Sequence, residues 1–221
     1  VDYGHDLLFG SFLTPSNRAP EEVVALAEHS EAVGLDLVTF QDHPYQPAFL
    51  DTWTLLSHVA ARTSRIHLSG NVLNVPLRNP AVLARSVATL DLLSGGRVEL
   101  GLGTGAFWDA MVALGVDRLT PGEAVTAIGE ANERIDDAAA SVGRAPAAIR
   151  RLLNIGGRFS GRRAPGMFAG TPQQWAEQLA ELATEYGTSA FILGSDDPTD
   201  LTVFGREVAP AVRELVAGAR A

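Results

Sequence analysis

Neither cysteine nor lysine occurs in the 221-residue chain. Without a thiol there is no thiolate nucleophile, disulfide, iron–sulfur cluster or Cys-ligated zinc. Without a lysine there is no Schiff base, pyridoxal-phosphate anchor or P-loop lysine, and all 17 basic residues are arginine. No apolar run reaches the ~18 residues that span a bilayer, and no basic-then-apolar leader is present. A cytoplasmic protein with no membrane attachment is expected. A formal charge of −9, from 17 basic and 26 acidic residues, argues against a surface that tracks nucleic-acid phosphates. The five histidines, His5, His29, His43, His58 and His67, all fall in the first third. A barrel metallohydrolase draws imidazoles from late strands as well, so no metal site is expected.

What is present reads as a well-buried globular chain, 46% hydrophobic and 19% charged. Apolar runs at Leu7 to Thr14, Leu35 to Phe40, Ile66 to Leu73 and Arg97 to Leu102 predict four strands. Helices are expected between them. One enters at Pro20-Glu21-Glu22 and stops at Gly34, one runs over Asp51 to Arg62, and one runs from Pro80 to Leu93 before Gly95-Gly96. Strand and helix alternating in units of about 25 to 30 residues imply a parallel sheet with right-handed crossovers. Further on, Pro121 to Val142 reads as helix, Ile149 to Ile155 as strand, and Gly156 to Gly170 as a long loop. Thr171-Pro172-Gln173-Gln174 reads as a capping-box start. Ala190 to Leu193 is the last predicted strand, and a final helix over Thr199 to Ala217 should break near Pro210.

The expected fold is α/β, a TIM (β/α)8-type barrel in one domain over residues 1–221. Six strands are counted where closure needs eight and typically about 250 residues. The shortfall, units five and six, lies between the fourth strand and Ile149, with a false join expected near residues 128–132. Those units are either deleted or absent from the segment in hand.

In such a barrel the C-terminal strand ends carry the chemistry. Asp42-His43 follows the second strand and sets an imidazole beside a carboxylate, suited to proton transfer from a bound alcohol. The plain alternative is a loop histidine bonded to a carbonyl. Gly70-Asn71-Val72 closes the third strand and Gly101-Leu102-Gly103-Thr104-Gly105 the fourth. The glycines permit close backbone approach to a ligand, but they do not form the dinucleotide fingerprint. Arg78-Asn79-Pro80 is a helix entry, and the plain reading of Arg78 is no more than a pair with some nearby carboxylate. Tyr45, Phe49 and Phe107-Trp108 are expected either to wall an apolar pocket or simply to pack loops.

Taken in order, these pieces resemble the bacterial luciferase-like family of flavin- and deazaflavin-dependent oxidoreductases. The resemblance is carried by Phe40-Gln41-Asp42-His43, the run from Ala61 to Ile66, the run from Asn71 to Pro80, the run from Ala88 to Arg97, and Gly101 to Gly105. Ala169-Gly170-Thr171-Pro172 and Glu207-Val208-Ala209-Pro210 extend it late in the chain.

The resemblance implies a homodimeric flavoprotein barrel with His43 as the catalytic residue. Asp42, Asn71, Val72, Gly103, Thr104 and Gly105 would contact the cofactor, with a non-proline cis peptide at Asn71-Val72. It allows two chemistries on a small organic substrate. One is monooxygenation with reduced FMN and oxygen, supplied by a separate flavin reductase. The other is transfer to or from coenzyme F420 with His43 as base. Thr104 fits the F420 members, but Ala106 stands where the sugar-phosphate-oxidising members carry a glutamate. Family numbers incline the expectation to FMN. A shortened, non-catalytic flavin-binding protein of the same family is the alternative.

Overall fold

The computed structural model describes residues 4–103, 107–115, 152–165, 168–186 and 188–221. The first strand, β1 (Leu8–Leu13), leads to helix α1 (Pro20–Ala32), and β2 (Leu37–Phe40) to α2 (Thr52–Arg62). Next come β3 (His67–Gly70), β4 (Leu73–Asn74), α3 (Pro80–Ser94), β5 (Leu102–Gly103) and α4 (Trp108–Ala113). The later described chain contains β6 (Leu152–Ile155), β7 (Arg158–Phe159), β8 (Ala169–Gly170), α5 (Pro172–Tyr186), β9 (Ala190–Gly194), α6 (Pro198–Val203) and α7 (Ala209–Arg220). The expected helix over Pro121 to Val142, the first three residues of the Ile149–Ile155 strand, and the join near 128–132 lie outside the described residues. No described helix is long and apolar enough to cross a membrane.

Every pairing in the main sheet is parallel, and the strand order is β3-β2-β1-β9-β6. Beyond β3 the chain from Arg97 to Gly103 forms a sixth stave. Leu68 N–H donates to the Arg97 carbonyl (2.9 Å), Glu99 N–H to the Leu68 carbonyl (2.9 Å), and β4 pairs with β5. The last strand thus lies against the first, as in a barrel whose chain ends meet, and the α/β arc is not closed among the described residues. Leu100, Leu102 and Leu152 stay about half exposed along its two ends. Further staves of a closed barrel would cover those side chains.

Two expected strands are interrupted. Ile66 to Leu73 is realised as β3 and β4 because the backbone bulges at Asn71-Val72, whose peptide bond is cis. The fourth stave follows that bulge, so Arg97 to Leu102 becomes one bridge at Val98 and the short β5 rather than a continuous strand. The Gly156–Gly170 loop also contains a two-stranded parallel ladder, β7 with β8.

The core lies between the sheet and its outer helices, where Phe9, Phe191, Phe204, Leu56, Val59 and Trp175 are almost fully buried. The Phe9 ring packs edge-on to Phe204 with centroids 5.7 Å apart, and the Arg213 guanidinium sits 4.7 Å over its face. Arg213 also donates to the Asp36 carboxylate (2.7 Å), which accepts the Phe9 N–H as well. This ties the final helix to the entry edge of the sheet.

Helix ends follow the sequence signals where a side chain can cap. Asn79 accepts from Ala81 and Val82 N–H ahead of Pro80, and Gly95 at φ 74° closes α3. At α5, Thr171 accepts the Gln174 N–H (3.2 Å), but the reciprocal half of the capping box is not made. The Gln174 amide instead pairs with both backbone groups of Ala164. The final helix breaks as expected, through a π turn over Phe204–Val208 just before Pro210. Proline has no N–H for the carbonyl one turn back, and its ring crowds that carbonyl.

The turn into β3 is held by the Glu31 carboxylate, which accepts N–H groups from Ser64, Arg65 and Ile66. Burial alone would raise its pKa, but those donors outweigh burial and hold it below the ordinary 4.5. A lowered folded value stabilises the protein above the unfolded pKa, and that contribution disappears as pH falls through the folded value. The urea midpoint of Glu31→Gln should therefore lie below wild type at pH 7 and converge with it in acid. A difference that persists unchanged at pH 3 would contradict this.

Candidate active site at the strand ends

The loop after β2 turns its two leading side chains to different surroundings. Asp42 is buried, its side chain 1% exposed. One oxygen accepts from Asn74 N–H (2.8 Å) and Arg78 Nε (2.8 Å), and the other from Arg78 Nη2 (2.6 Å). This two-point contact is the planar fork by which guanidinium matches a carboxylate. Hydrogen bonding to Asp42 pushes the Arg78 pKa up. Asp42, expected among the cofactor contacts, is bound in this structure to Asn74 N–H and the Arg78 guanidinium.

The imidazole of His43 is half-buried among aromatic rings. It stacks on Tyr45 (centroids 5.3 Å, 20° between planes) and Phe49 (6.1 Å, 11°), and meets the edge of Phe107 (5.2 Å, 72°). Neither ring nitrogen has a hydrogen-bond partner among the described residues. Burial pushes the His43 pKa below 6.5, while the charge of Asp42 pulls the other way. Desolvation disfavours the cation, so a neutral imidazole able to accept a proton prevails near neutral pH.

The cis bulge presents Val72 outward, 43% exposed. Asn71 faces across the arc: its Nδ2 donates to Asn154 Oδ1 on β6 (2.7 Å), and Asn154 Nδ2 returns the bond to Asn71 Oδ1 (3.3 Å). Asn71 N–H also donates to the Phe40 carbonyl (2.8 Å). A cavity of about 380 Å³ opens beside the bulge, with Thr39, Asn71, Val72, Leu102 and Asn154 in its lining. His43 does not line it. A larger groove of about 730 Å³ runs between α1 and α2 and shares none of these residues.

Glycine is required beside the bulge on steric grounds. A Cβ on Gly103 would overlap a methyl of Val72, and one on Gly101 would overlap the Gly70 carbonyl. Thr104 and Gly105 lie outside the described residues.

Two participants were not singled out from the sequence. Asn154 sits 83 residues from its partner Asn71, and an isolated asparagine in a strand carries no local signal of such a contact. Asn74 is 2% exposed, and its Oδ1 has no hydrogen-bond partner among the described residues. Its place two residues past the bulge was the available clue.

The profile of the luciferase-like monooxygenase family matches residues 7–138. The F420-dependent glucose-6-phosphate dehydrogenase of Kineococcus radiotolerans is 40% identical over 112 residues, which is 47% of this chain and 32% of that relative. The Mycobacterium tuberculosis protein of the same description is 38% identical over 109 residues, 45% of this chain and 32% of the relative. The matched region therefore spans about a third of these relatives' length. Among solved structures, an F420-dependent secondary alcohol dehydrogenase in complex with an F420–acetone adduct superposes with a TM-score of 0.73 at 16% identity, covering 94% of this chain and 99% of that one. The coenzyme F420-dependent tetrahydromethanopterin reductase from Methanopyrus kandleri gives 0.70 at 16%, with 93% and 99% covered. At such identities the superpositions establish the luciferase-like TIM-barrel fold. With the family profile spanning more than half of its residues, the chain belongs to the luciferase-like monooxygenase family.

Proposed function

We propose that the protein is an oxidoreductase that uses coenzyme F420 to interconvert a small alcohol and its carbonyl, with His43 handling the hydroxyl proton. The observation that carries this reading is the half-buried imidazole of His43, free of hydrogen-bond partners among the described residues, beside a carboxylate held by Asn74 and Arg78. The F420-dependent relatives favour the deazaflavin over the FMN to which family numbers inclined.

The residues present fit a planar ring. Val72 offers an outward apolar platform, and the bare backbone of Gly103 leaves the bulge room to lie flat against β5. Asn71, Thr104 and Gly105 complete the proposed contacts. When bound, the deazaflavin supplies a two-electron acceptor.

The protein's part is positioning and proton handling. His43, neutral at working pH, accepts the alcohol proton as the C–O bond gains double-bond character. Tyr45, Phe49 and Phe107 limit water around the imidazole, and Asp42 fixes its loop to the bulge. Ala106 stands where sugar-phosphate-oxidising members carry glutamate, which argues against a sugar phosphate and supports a small alcohol as the proposed substrate.

Titration of the purified protein with F420 and with FMN, followed by fluorescence, tests the reading. F420 should bind, and Gly103→Ala should weaken it by roughly tenfold or more by pushing Val72 out of plane. Tight FMN binding without F420 binding would shift the proposal to the oxygen-linked chemistry. Binding without turnover on any alcohol would favour the non-catalytic alternative, and failure to bind either would end the reading.

A further inference from the structure

We propose that Arg78 is a positioning residue for His43, holding the Asp42 carboxylate turned away from the adjacent imidazole so that His43 keeps no ionic partner of its own. For its catalytic consequence this rests on the function proposed above; the physical claim stands apart from it.

Asp42 and His43 are consecutive residues on a non-helical loop. A carboxylate beside a histidine commonly rotates to hydrogen-bond the ring and stabilise its cation. Here both carboxylate oxygens are occupied, one by Arg78 Nη2 and the other by Arg78 Nε together with Asn74 N–H. The guanidinium side chain is 19% exposed and the carboxylate 1%, so water competes little for either. The fork is also placed by its own surroundings, because Arg78 immediately precedes Asn79, the cap of α3.

Among the described residues, the titratable and charged groups around His43 are few. Asp42 and Tyr45 belong to its own loop, and Arg78 comes from the turn after β4. Asp51, the cap of α2, acts on Arg78. Phe107 brings an uncharged ring, and Asp109 lies on the helix it leads into. Of these, Asp42 is the acidic neighbour that acts on the imidazole, and Arg78 is the residue that restrains it.

The experiment is an NMR titration of the His43 ring in wild type, Arg78→Gln, Arg78→Lys, Asp42→Asn and the Asp42→Asn/Arg78→Gln double variant, without cofactor. Arg78→Gln should raise the midpoint, because the freed carboxylate can swing to the imidazole. Arg78→Lys, which keeps the charge but not the two-point fork, should raise it by less and serves if the glutamine variant does not fold. In the Asp42→Asn background the same Arg78→Gln change should have little effect. An unmoved midpoint in both Arg78 variants, or an equal rise with and without Asp42, would overturn the proposal. Since no cofactor is present, a wild-type protein that fails to bind F420 refutes the proposed function and leaves this measurement intact.

Discussion

Replacing His43 with alanine is expected to lower turnover by roughly 10²- to 10⁴-fold, the usual contribution of a positioned acid–base group. F420 affinity should change little, because the proposed platform is Asn71, Val72 and Gly103 rather than the imidazole. Loss of kcat with a retained cofactor Kd is the signature to measure; a drop in affinity with kcat preserved would make His43 a structural residue. The pH dependence carries a sign as well. A base must be neutral to act, and burial holds the His43 pKa below 6.5. Wild-type turnover should therefore stay level from neutral pH upward and fall only on the acid side of 6.5. An acid limb centred above 7 would mean that the imidazole is ion-paired, contrary to the hydrogen bonds that commit Asp42 to Arg78.

The division of labour between Asp42 and His43 shows where sequence reading reaches and where it stops. That both residues sit at a strand end was legible, because an apolar run ending in a polar pair is a local signal. That they serve different surroundings was not, since the partner of Asp42 lies 36 residues away at Arg78. Extended backbone turns successive side chains to opposite sides, and this rule could have suggested that a buried Asp42 accompanies a more open His43. The helices were read well where a cap marks them, as at Asn79-Pro80 and Gly95. The capping box at Thr171 failed for a tertiary reason: the Gln174 amide completes the backbone of Ala164 in a loop whose approach no local pattern encodes. Strand interruptions were likewise hidden, because an apolar run does not reveal a bulge until the neighbouring stave has to follow it. Tyr45, Phe49 and Phe107, expected either to wall a pocket or to pack loops, pack around the imidazole, and one of them arrives from a different βα unit.

Arg97→Met should be the most destabilising single change among the described polar residues, lowering the unfolding free energy by about 3–5 kcal/mol. Arg97 is 8% exposed and no carboxylate pairs with it among the described residues, yet all five of its N–H groups are used. Nε donates to the Ser94 carbonyl (2.8 Å), Nη1 to Thr63 Oγ1 (3.0 Å) and the Ile66 carbonyl (3.0 Å), and Nη2 to the Ala60 (2.8 Å) and Thr63 (3.1 Å) carbonyls. Two of those carbonyls close α2, where the helix dipole places partial negative charge, so the helix end stands in for a counterion. The same side chain joins the ends of α2 and α3 to the start of β3 and of the fourth stave. Its removal leaves several buried acceptors unsatisfied at about 1–3 kcal/mol each before relaxation, against a total stability of about 5–15 kcal/mol for a domain. Lysine at this position should recover only part of the loss, because a single ammonium cannot reach acceptors arranged around a planar fork. Urea unfolding followed by circular dichroism measures both variants. A methionine variant within 1 kcal/mol of wild type would show that water replaces the guanidinium at these carbonyls, and that the barrel arc does not depend on this one cation for the join between its second and fourth units.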